Sequence, residues 1–113
     1  MSSINFKMLM LIAFANMGTG QNEEKAQNIF KNKLEIIKKA TSKSNNNMDE
    51  YKINGAILFL EKVTLIWSES DGNYIGRFNP TYKDFKSWSI WFKNNKNRLY
   101  WDDNKQSVKV MVR

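Results

Sequence analysis

The sequence predicts a mainly α-helical fold, with two to three packed helices followed by a short C-terminal β-hairpin. Apolar residues recur with the helical period of about 3.6 in three stretches, at about residues 22–42, 49–66 and 81–96. After the third stretch, apolar and polar residues alternate over about residues 98–112, as they do in strands. Polar or glycine-containing segments separate the three helical stretches and indicate loops.

The composition is that of one small globular domain with a basic charge. The chain has 113 residues, of which 42% are hydrophobic and 13% aromatic, so it can bury a core. Its formal net charge is +7, its 15 Lys far outnumber its 3 Arg, and it has neither Cys nor His. The absence of these two residue types excludes disulfides, zinc sites of the Cys/His kind, Cys nucleophiles and Ser-His triads.

The N-terminal residues have the pattern of a secretory signal peptide. A lysine precedes an uncharged apolar run at residues 8–18, which is shorter than the roughly 20 residues that span a bilayer. Gly18 and Gly20 stand at the small-residue positions before a cleavage point. We therefore predict a signal peptide at residues 1–20, one small helical domain at residues 21–113, and a periplasmic or secreted location without a membrane span after cleavage. The alternative is that the apolar run forms an ordinary N-terminal helix of the fold.

The first predicted helix, residues 22–42, is amphipathic. Glu23 and Glu24 in its first turn and Lys38 and Lys39 near its last turn suit the helix dipole. The predicted core stripe consists of Ala26, Ile29, Phe30, Leu34, Ile37 and Ala40.

The second predicted helix, residues 49–66, begins at Asp49, a residue type that favours the N-cap position. Leu58 and Phe59 add a second apolar face, so we expect this helix to be the most buried of the three. Gly55 weakens it by up to about 1 kcal/mol relative to Ala. A strand in the bulky run VTLIW is the alternative for its C-terminal end. The main apolar face is formed by Ile53, Ala56, Ile57, Leu60, Val63 and Thr64.

The third predicted helix, residues 81–96, has a clear start signal. Thr81 and Asp84 have the spacing of a capping box in which Asp replaces the usual Glu. Trp88 and Trp91 are three residues apart and share a helix face, so we expect them to pack this helix onto the second one. The predicted core face contains Phe85, Trp88, Trp91, Phe92 and Asn95.

The C-terminal hairpin supplies the candidate binding residues. Tyr100 and Trp101 are neighbours in an alternating strand and point to opposite faces, so we expect one of them to be exposed. Lys96 and Arg98 lie close by in the sequence. Aromatic rings among positive charges favour an anionic ligand, and the candidate binding patch is therefore Lys96, Arg98, Tyr100 and Trp101.

One block of the chain, at about residues 56–102, is similar to known proteins. It resembles a segment of small exported bacterial proteins of unknown function, of the Bacteroidetes type, and the terminal unit of some HEAT-repeat-like proteins. In that pattern a helix is followed by a glycine-containing loop and then by Trp-x-x-Trp. This chain has Leu65 where the pattern has Gly. The resemblance implies a helical, HEAT-like packing unit and no catalytic activity. The matching positions are Ala56, Leu60, Val63, Thr64, Gly72, Gly76, Trp88, Trp91, Asn95, Leu99, Trp101 and Asp102.

The candidate chemistry is weak. The run SDGNY is typical of a turn, because an EF-hand register that places Gly72 at its sixth position has Trp67 and Phe78 at its terminal ligand positions. Four carboxylates could in principle serve as a general acid and base, but pairs of acidic residues in loops are commonplace. We predict no catalytic residue, no metal site and no cofactor. The four carboxylates are Glu69, Asp71, Asp102 and Asp103.

Three functional hypotheses remain. The first is an exported, non-enzymatic module that binds another protein or the cell envelope. The second is a basic protein that binds nucleic acid or another anionic polymer, although an exported protein would not meet nucleic acid in the cell. The third is a glycan-acting enzyme or an enzyme inhibitor, in which aromatic residues stack on sugar rings. The sequence does not identify the partner, the oligomeric state or the biological process.

Overall fold

The computed structural model of the chain describes residues 15–42, 49–70 and 76–112. These residues form three helices, a 3₁₀ turn and a two-stranded antiparallel sheet, so the predicted fold class is confirmed. In chain order the elements are α1 (Ala15–Ala40), α2 (Glu50–Thr64), α3 (Tyr82–Asn95), the 3₁₀ turn (Lys96–Arg98), β1 (Leu99–Asp102) and β2 (Ser107–Val110).

The chain divides into two compact units, and the division falls inside α1 and at the 3₁₀ turn. We call Asn28–Lys96 the helical unit, which contains most of α1 together with α2 and α3. We call the other unit, Met1–Gln27 with Asn97–Arg113, the hairpin unit.

The first helix starts earlier than the sequence indicates. α1 begins at Ala15, whereas the predicted start is residue 22, so the predicted cleavage point after Gly20 lies within the helix. The additional residues contain no proline, and a nucleated helix gains one hydrogen bond for each residue added. Residues 1–14, with most of the predicted apolar run, lie outside the described residues. The buried residues of α1 that the structure describes are Ala26, Phe30 and Ile37.

Phe30 lies at the centre of the aromatic core of the helical unit. Its fully buried ring stacks on Trp91 and Phe92 of α3, with centroid distances of 5.5 and 4.9 Å. It also meets Phe59 of α2 edge-on, at 6.0 Å. Such aromatic pairs contribute about 0.5–1.5 kcal/mol beyond the area they bury. One side chain of α1 therefore holds both other helices.

The second helix starts at the predicted cap and ends two residues before the predicted end. The Asp49 carboxylate accepts a hydrogen bond from the Tyr51 backbone N–H at 2.8 Å, as expected of an N-cap. Leu65 then adopts the left-handed conformation, with φ 61° and ψ 23°, and its N–H reaches the Glu61 carbonyl at 2.8 Å. A strand in VTLIW is therefore wrong, because this left-handed residue stops the helix and the chain that follows is irregular. Among the described residues α2 is the most buried helix, with Ile53, Ala56, Ile57, Leu60, Glu61 and Thr64 inside.

The third helix begins with the predicted capping box. The Thr81 hydroxyl accepts from the Asp84 N–H, and the Asp84 carboxylate accepts from the Thr81 N–H, both at 3.0 Å. Trp88 is fully buried, and its indole N–H donates to the Ile66 carbonyl at 3.0 Å. The expectation that Trp88 is a core residue is confirmed, and its hydrogen bond joins α3 to the segment that follows α2, whereas Trp91, also expected to pack against α2, is half-buried and stacks on Phe30 of α1.

The hairpin has the predicted order and a regular register. Its four opposed pairs put Leu99, Trp101, Val108 and Val110 on one face of the sheet. Tyr100 lies on the other face, as alternation requires. The expectation that Tyr100 or Trp101 is exposed is nevertheless wrong, because both side chains are half-buried by residues of the hairpin unit.

Candidate functional site

Two carboxylates are buried where α2 ends and α3 begins. Glu61 is 2% exposed and Asp84 is 4% exposed. Glu61 accepts hydrogen bonds from the Arg77 guanidinium and from the Ser68 backbone N–H, the latter at 2.8 Å. Asp84, beyond its capping-box bond, accepts from the Ser68 hydroxyl and from the Glu69 N–H at 2.9 Å. We call Glu61, Ser68, Arg77 and Asp84 the carboxylate cluster.

The carboxylate cluster fixes the irregular segment between the two helices. Ser68 bridges the two acids, since its N–H donates to Glu61 and its hydroxyl donates to Asp84. The same hydroxyl accepts from the Ser70 N–H at 2.9 Å. Each of the four carboxylate oxygens therefore has a donor from the protein itself, which is the condition for burying charge. The arrangement serves to hold backbone in place, and it presents no acid to a ligand.

Sequence reasoning missed Glu61. The signal was present, because Glu61 lies four residues after Ile57 and three before Thr64, on the buried face of α2. A charged residue at a core position predicts a buried partner, and Arg77 is one of only three arginines. What the sequence does not reveal is that Ser68 joins this pair to Asp84.

The carboxylates considered for catalysis have structural partners where they are described. The exposed Glu69 pairs with the exposed Lys83 at 2.9 Å, and this hydrogen bond raises the pKa of Lys83. Asp102 accepts from two backbone N–H groups of the hairpin turn, at 3.0 and 3.2 Å. Asp103 accepts from the indole N–H of Trp101 at 2.8 Å. Asp71 and the SDGNY turn lie mostly outside the described residues.

Within the three described ranges, no group of three or more acidic residues is placed so that it could hold a metal ion. In the same part of the chain, no helix combines the length and the hydrophobicity needed to cross a bilayer.

The predicted hairpin patch is distributed over the structure. Lys96 belongs to the helical unit, whereas Arg98, Tyr100 and Trp101 belong to the hairpin unit. The Lys25 ammonium lies 4.0 Å from the centre of the Trp101 ring, in the geometry of a cation–π contact. Arg98 Nε donates to the Met111 carbonyl at 3.0 Å. The charges and rings of the hairpin unit thus already interact within that unit.

Tyr100 lines an open cavity of the hairpin unit. The cavity has a volume of about 480 Å³ and a mainly apolar wall. Its one charged lining residue is Glu23. The remaining residues that line it are Asn22, Tyr100, Val110, Met111 and Val112.

The helical unit carries a second cavity, a groove between α1 and α2 that we call the basic groove. It has a volume of about 510 Å³, and three of its lining residues are lysines, Lys33, Lys39 and Lys52, against the single carboxylate of Glu35. Lys39 and Lys52 are exposed, and neither forms an ion pair with any residue that the structure describes. The complete lining is Asn32, Lys33, Glu35, Ile36, Lys39, Tyr51, Lys52 and Gly55.

Local helix geometry explains how the basic groove forms. Asn32, Ile36 and Lys39 recur at helical spacing along α1, and Tyr51 and Gly55 are one turn apart on α2. The Lys33 ammonium lies 5.9 Å from the centre of the Phe59 ring, which lies one turn beyond Gly55. The lining of the groove is therefore mostly polar, and lysines from both helices contribute its positive charge.

Gly55 is the unusual residue of the basic groove. Glycine in a helix interior costs about 0.5–1 kcal/mol relative to alanine. A methyl group built on Gly55 would have no neighbouring atom within 4 Å, so the fold does not require a glycine there. Gly76 is the opposite case, because its φ is 146° and a Cβ would lie 2.8 Å from the Asn54 side chain.

No family model, curated protein or solved structure matches this chain.

Proposed function

We propose that the protein is an exported, non-enzymatic interaction module that binds an acidic partner protein through the basic groove. The observation that carries the proposal is the set of three lysines around an open cavity whose lining has one carboxylate, Glu35. Complementary charge steers association and selects partners. A partner that presents clustered Asp or Glu residues meets this requirement.

The non-enzymatic part of the proposal is supported by the use of the acidic residues. Glu61 and Asp84, the two buried acids, hold backbone and Arg77 in place. Asp102 and Asp103 stabilise the hairpin and its turn. These four acidic residues stabilise the fold, and none of them lines the basic groove.

The exported part is supported by the N-terminal sequence pattern of a lysine, an uncharged apolar run and Gly18 and Gly20. The test is the intact mass of the protein recovered from the extracytoplasmic fraction of its native cell. A mass equal to residues 21–113 supports export, and a full-length chain in the cytoplasm contradicts it.

Groove binding is tested with poly-L-glutamate as an acidic probe. In the variant Lys33→Gln/Lys39→Gln/Lys52→Gln we expect binding to be about tenfold weaker, because each exposed ion pair contributes about 0.2–1 kcal/mol. The control Lys86→Gln/Lys93→Gln/Lys105→Gln removes the same charge from exposed positions elsewhere. Equal weakening in both triple variants would mean that the net charge, and not the groove, binds the probe.

A basic groove also suits an anionic polymer, which is the second candidate function. A short DNA duplex serves as its probe. Tighter binding of the duplex than of poly-L-glutamate, with the same dependence on the three groove lysines and a steep loss with added salt, would favour nucleic acid over an acidic protein.

A further inference from the structure

We infer that the basic groove and the adjoining exposed face of α2 seat an acidic amphipathic helix of a partner protein, whose backbone passes over Gly55. This inference rests on the proposed function and specifies the shape of the partner. It is drawn from the spacing of exposed residues on α2, from the unexplained glycine and from the charge around both.

The exposed face of α2 has the residue spacing of a helix–helix seam. Tyr51 and Leu58 are seven residues apart on α2 and are 81% and 52% exposed, and Leu65, the left-handed residue that follows the helix at the same interval, is 73% exposed. Gly55 and Lys62, both exposed, lie between them, so the steps alternate between four and three residues. This alternation is the pattern with which one helix packs along another. We call Tyr51, Gly55, Leu58, Lys62 and Leu65 the α2 seam.

The α2 seam differs from the scattered apolar residues of an ordinary surface. Isolated exposed leucines are normal on soluble proteins, but large exposed apolar side chains that recur every seven residues beside a groove favour an interaction site. From Tyr51 to its end at Thr64, α2 rises over 13 steps of about 1.5 Å, or about 20 Å, which equals between three and four turns of a partner helix. The seam joins the basic groove at Tyr51 and Gly55, which belong to both.

Gly55 shows where the partner comes closest. The exposed residue lines the groove, a Cβ built there would have no neighbouring atom within 4 Å, and its helical backbone needs no glycine. The energetic disadvantage of glycine is therefore not repaid within the fold. A site without a side chain lets a second backbone approach closely, which is the role of small residues at helix crossings.

The charge around the seam selects the chemistry of the partner. Lys33, Lys39 and Lys52 border the groove, and Lys62 occupies a central position of the seam. A second copy of this chain would bring more positive charge, because the net charge is +7. The apolar face of an amphipathic partner helix would pack on the α2 seam. Asp or Glu residues beside that face would pair with the surrounding lysines.

The experiment uses the whole chain and two synthetic peptides. The first is an amphipathic peptide of about 18 residues made of Leu, Ala and Glu, with Leu at helical spacing on one face. The second has the same composition in scrambled order. Binding is measured by fluorescence anisotropy at about 0.15 M ionic strength. We expect the amphipathic peptide to bind roughly tenfold more tightly than the scrambled one.

Variants at Gly55 distinguish close packing of a partner helix on α2 from attraction by the groove lysines alone. Gly55→Ala should raise the melting temperature by about 2–8 °C and weaken binding of the amphipathic peptide. Gly55→Leu should weaken that binding further, by roughly tenfold or more. Opposite signs for stability and binding cannot come from damage to the fold. Asn94→Leu adds the same side chain at an exposed position of α3 and should leave peptide binding unchanged.

The outcomes distinguish this inference from the proposed function. Equal binding of both peptides, with no effect of either Gly55 variant but weakening in the groove-lysine triple variant, would overturn helix seating and leave the basic groove in place. No effect of the triple variant would overturn the proposed function itself. Preferential binding of a short DNA duplex, weakened by the Gly55 variants, would replace the helix with nucleic acid as the occupant.

Discussion

The two ends of α2 carry charge in opposite ways. At its carboxyl end Glu61 is buried and its oxygens accept from Arg77 and Ser68. At its amino end Lys52 is exposed and borders the basic groove. The first arrangement costs desolvation and is stable only because every oxygen has a donor. The second keeps its solvation and its capacity to bind something else.

This contrast teaches which charges of the chain belong to folding and which are available for binding. Composition alone gives a net charge of +7 and does not separate the two groups. Burial and partners separate them, because a charge that fixes the backbone cannot also attract a ligand. Substitutions at the carboxyl end should therefore change stability, and substitutions at the groove should change binding.

The largest effect is expected for Trp88→Ala. The side chain is fully buried and its indole N–H satisfies the Ile66 carbonyl, so truncation should destabilise the protein by about 3–5 kcal/mol. Urea unfolding followed by circular dichroism measures the difference. Trp67→Ala is the matched control, because Trp67 is 66% exposed and its loss should have little effect. Equal effects of the two substitutions would contradict the core role of Trp88.

The next largest effect is expected for Asp84→Ala. The change removes half of the capping box and leaves the donors of Ser68 and Glu69 without an acceptor, so we expect a loss of about 2–4 kcal/mol. The measurement is again the free energy of unfolding. Asp49→Ala, which removes an exposed N-cap with one hydrogen bond, should cost only about 1 kcal/mol. A loss at Asp84 no larger than at Asp49 would break the comparison between buried and exposed carboxylates.

Gly76→Ala should have the opposite sign to Gly55→Ala. Gly76 has φ 146°, and a Cβ would press on Asn54, which accepts the Arg77 backbone N–H at 2.9 Å. We expect a loss of about 1–3 kcal/mol, because the strain adds to a displaced hydrogen bond. Thermal unfolding of the two alanine variants side by side gives the signs directly. Stabilisation at both positions would show that Gly76 is as dispensable to the fold as Gly55.

The three helices, and the starts of α2 and α3, could be predicted because they depend on local signals. Asp49 and Thr81 cap the helices as their residue types indicate, and Thr81 with Asp84 forms the predicted capping box. The hairpin followed from alternation. The early start of α1 at Ala15 could not be predicted, since its first residues lack the apolar spacing that marked the rest of the helix.

The sites were less predictable because they depend on contacts between distant residues. Lys33 and Tyr51 line one groove although 17 positions separate them and no sequence period links them. Glu61 and Asp84 meet through Ser68, whose hydrogen bonds are set by the path of an irregular segment. The hairpin residues Tyr100 and Trp101 were predicted as binding residues from their residue types. Residue type does not indicate that the Lys25 ammonium lies over the Trp101 ring.

Leu65→Gly has the smallest expected effect on stability. It also tests whether the residue that ends α2 belongs to the α2 seam. Leu65 ends the helix with φ 61°, a conformation that glycine adopts without strain, and its side chain is 73% exposed. Relief of about 1–2 kcal/mol of strain, offset by the greater freedom of glycine in the unfolded chain, predicts a gain of about 0.5–1 kcal/mol. Chemical denaturation measures the gain, with Leu65→Ala as the control that keeps the strain. Because Leu65 also ends the α2 seam, the stabilised Leu65→Gly variant should bind the amphipathic peptide more weakly than the wild type. A variant that is both more stable and unchanged in binding would remove Leu65 from the seam and shorten the proposed contact to the turns around Gly55.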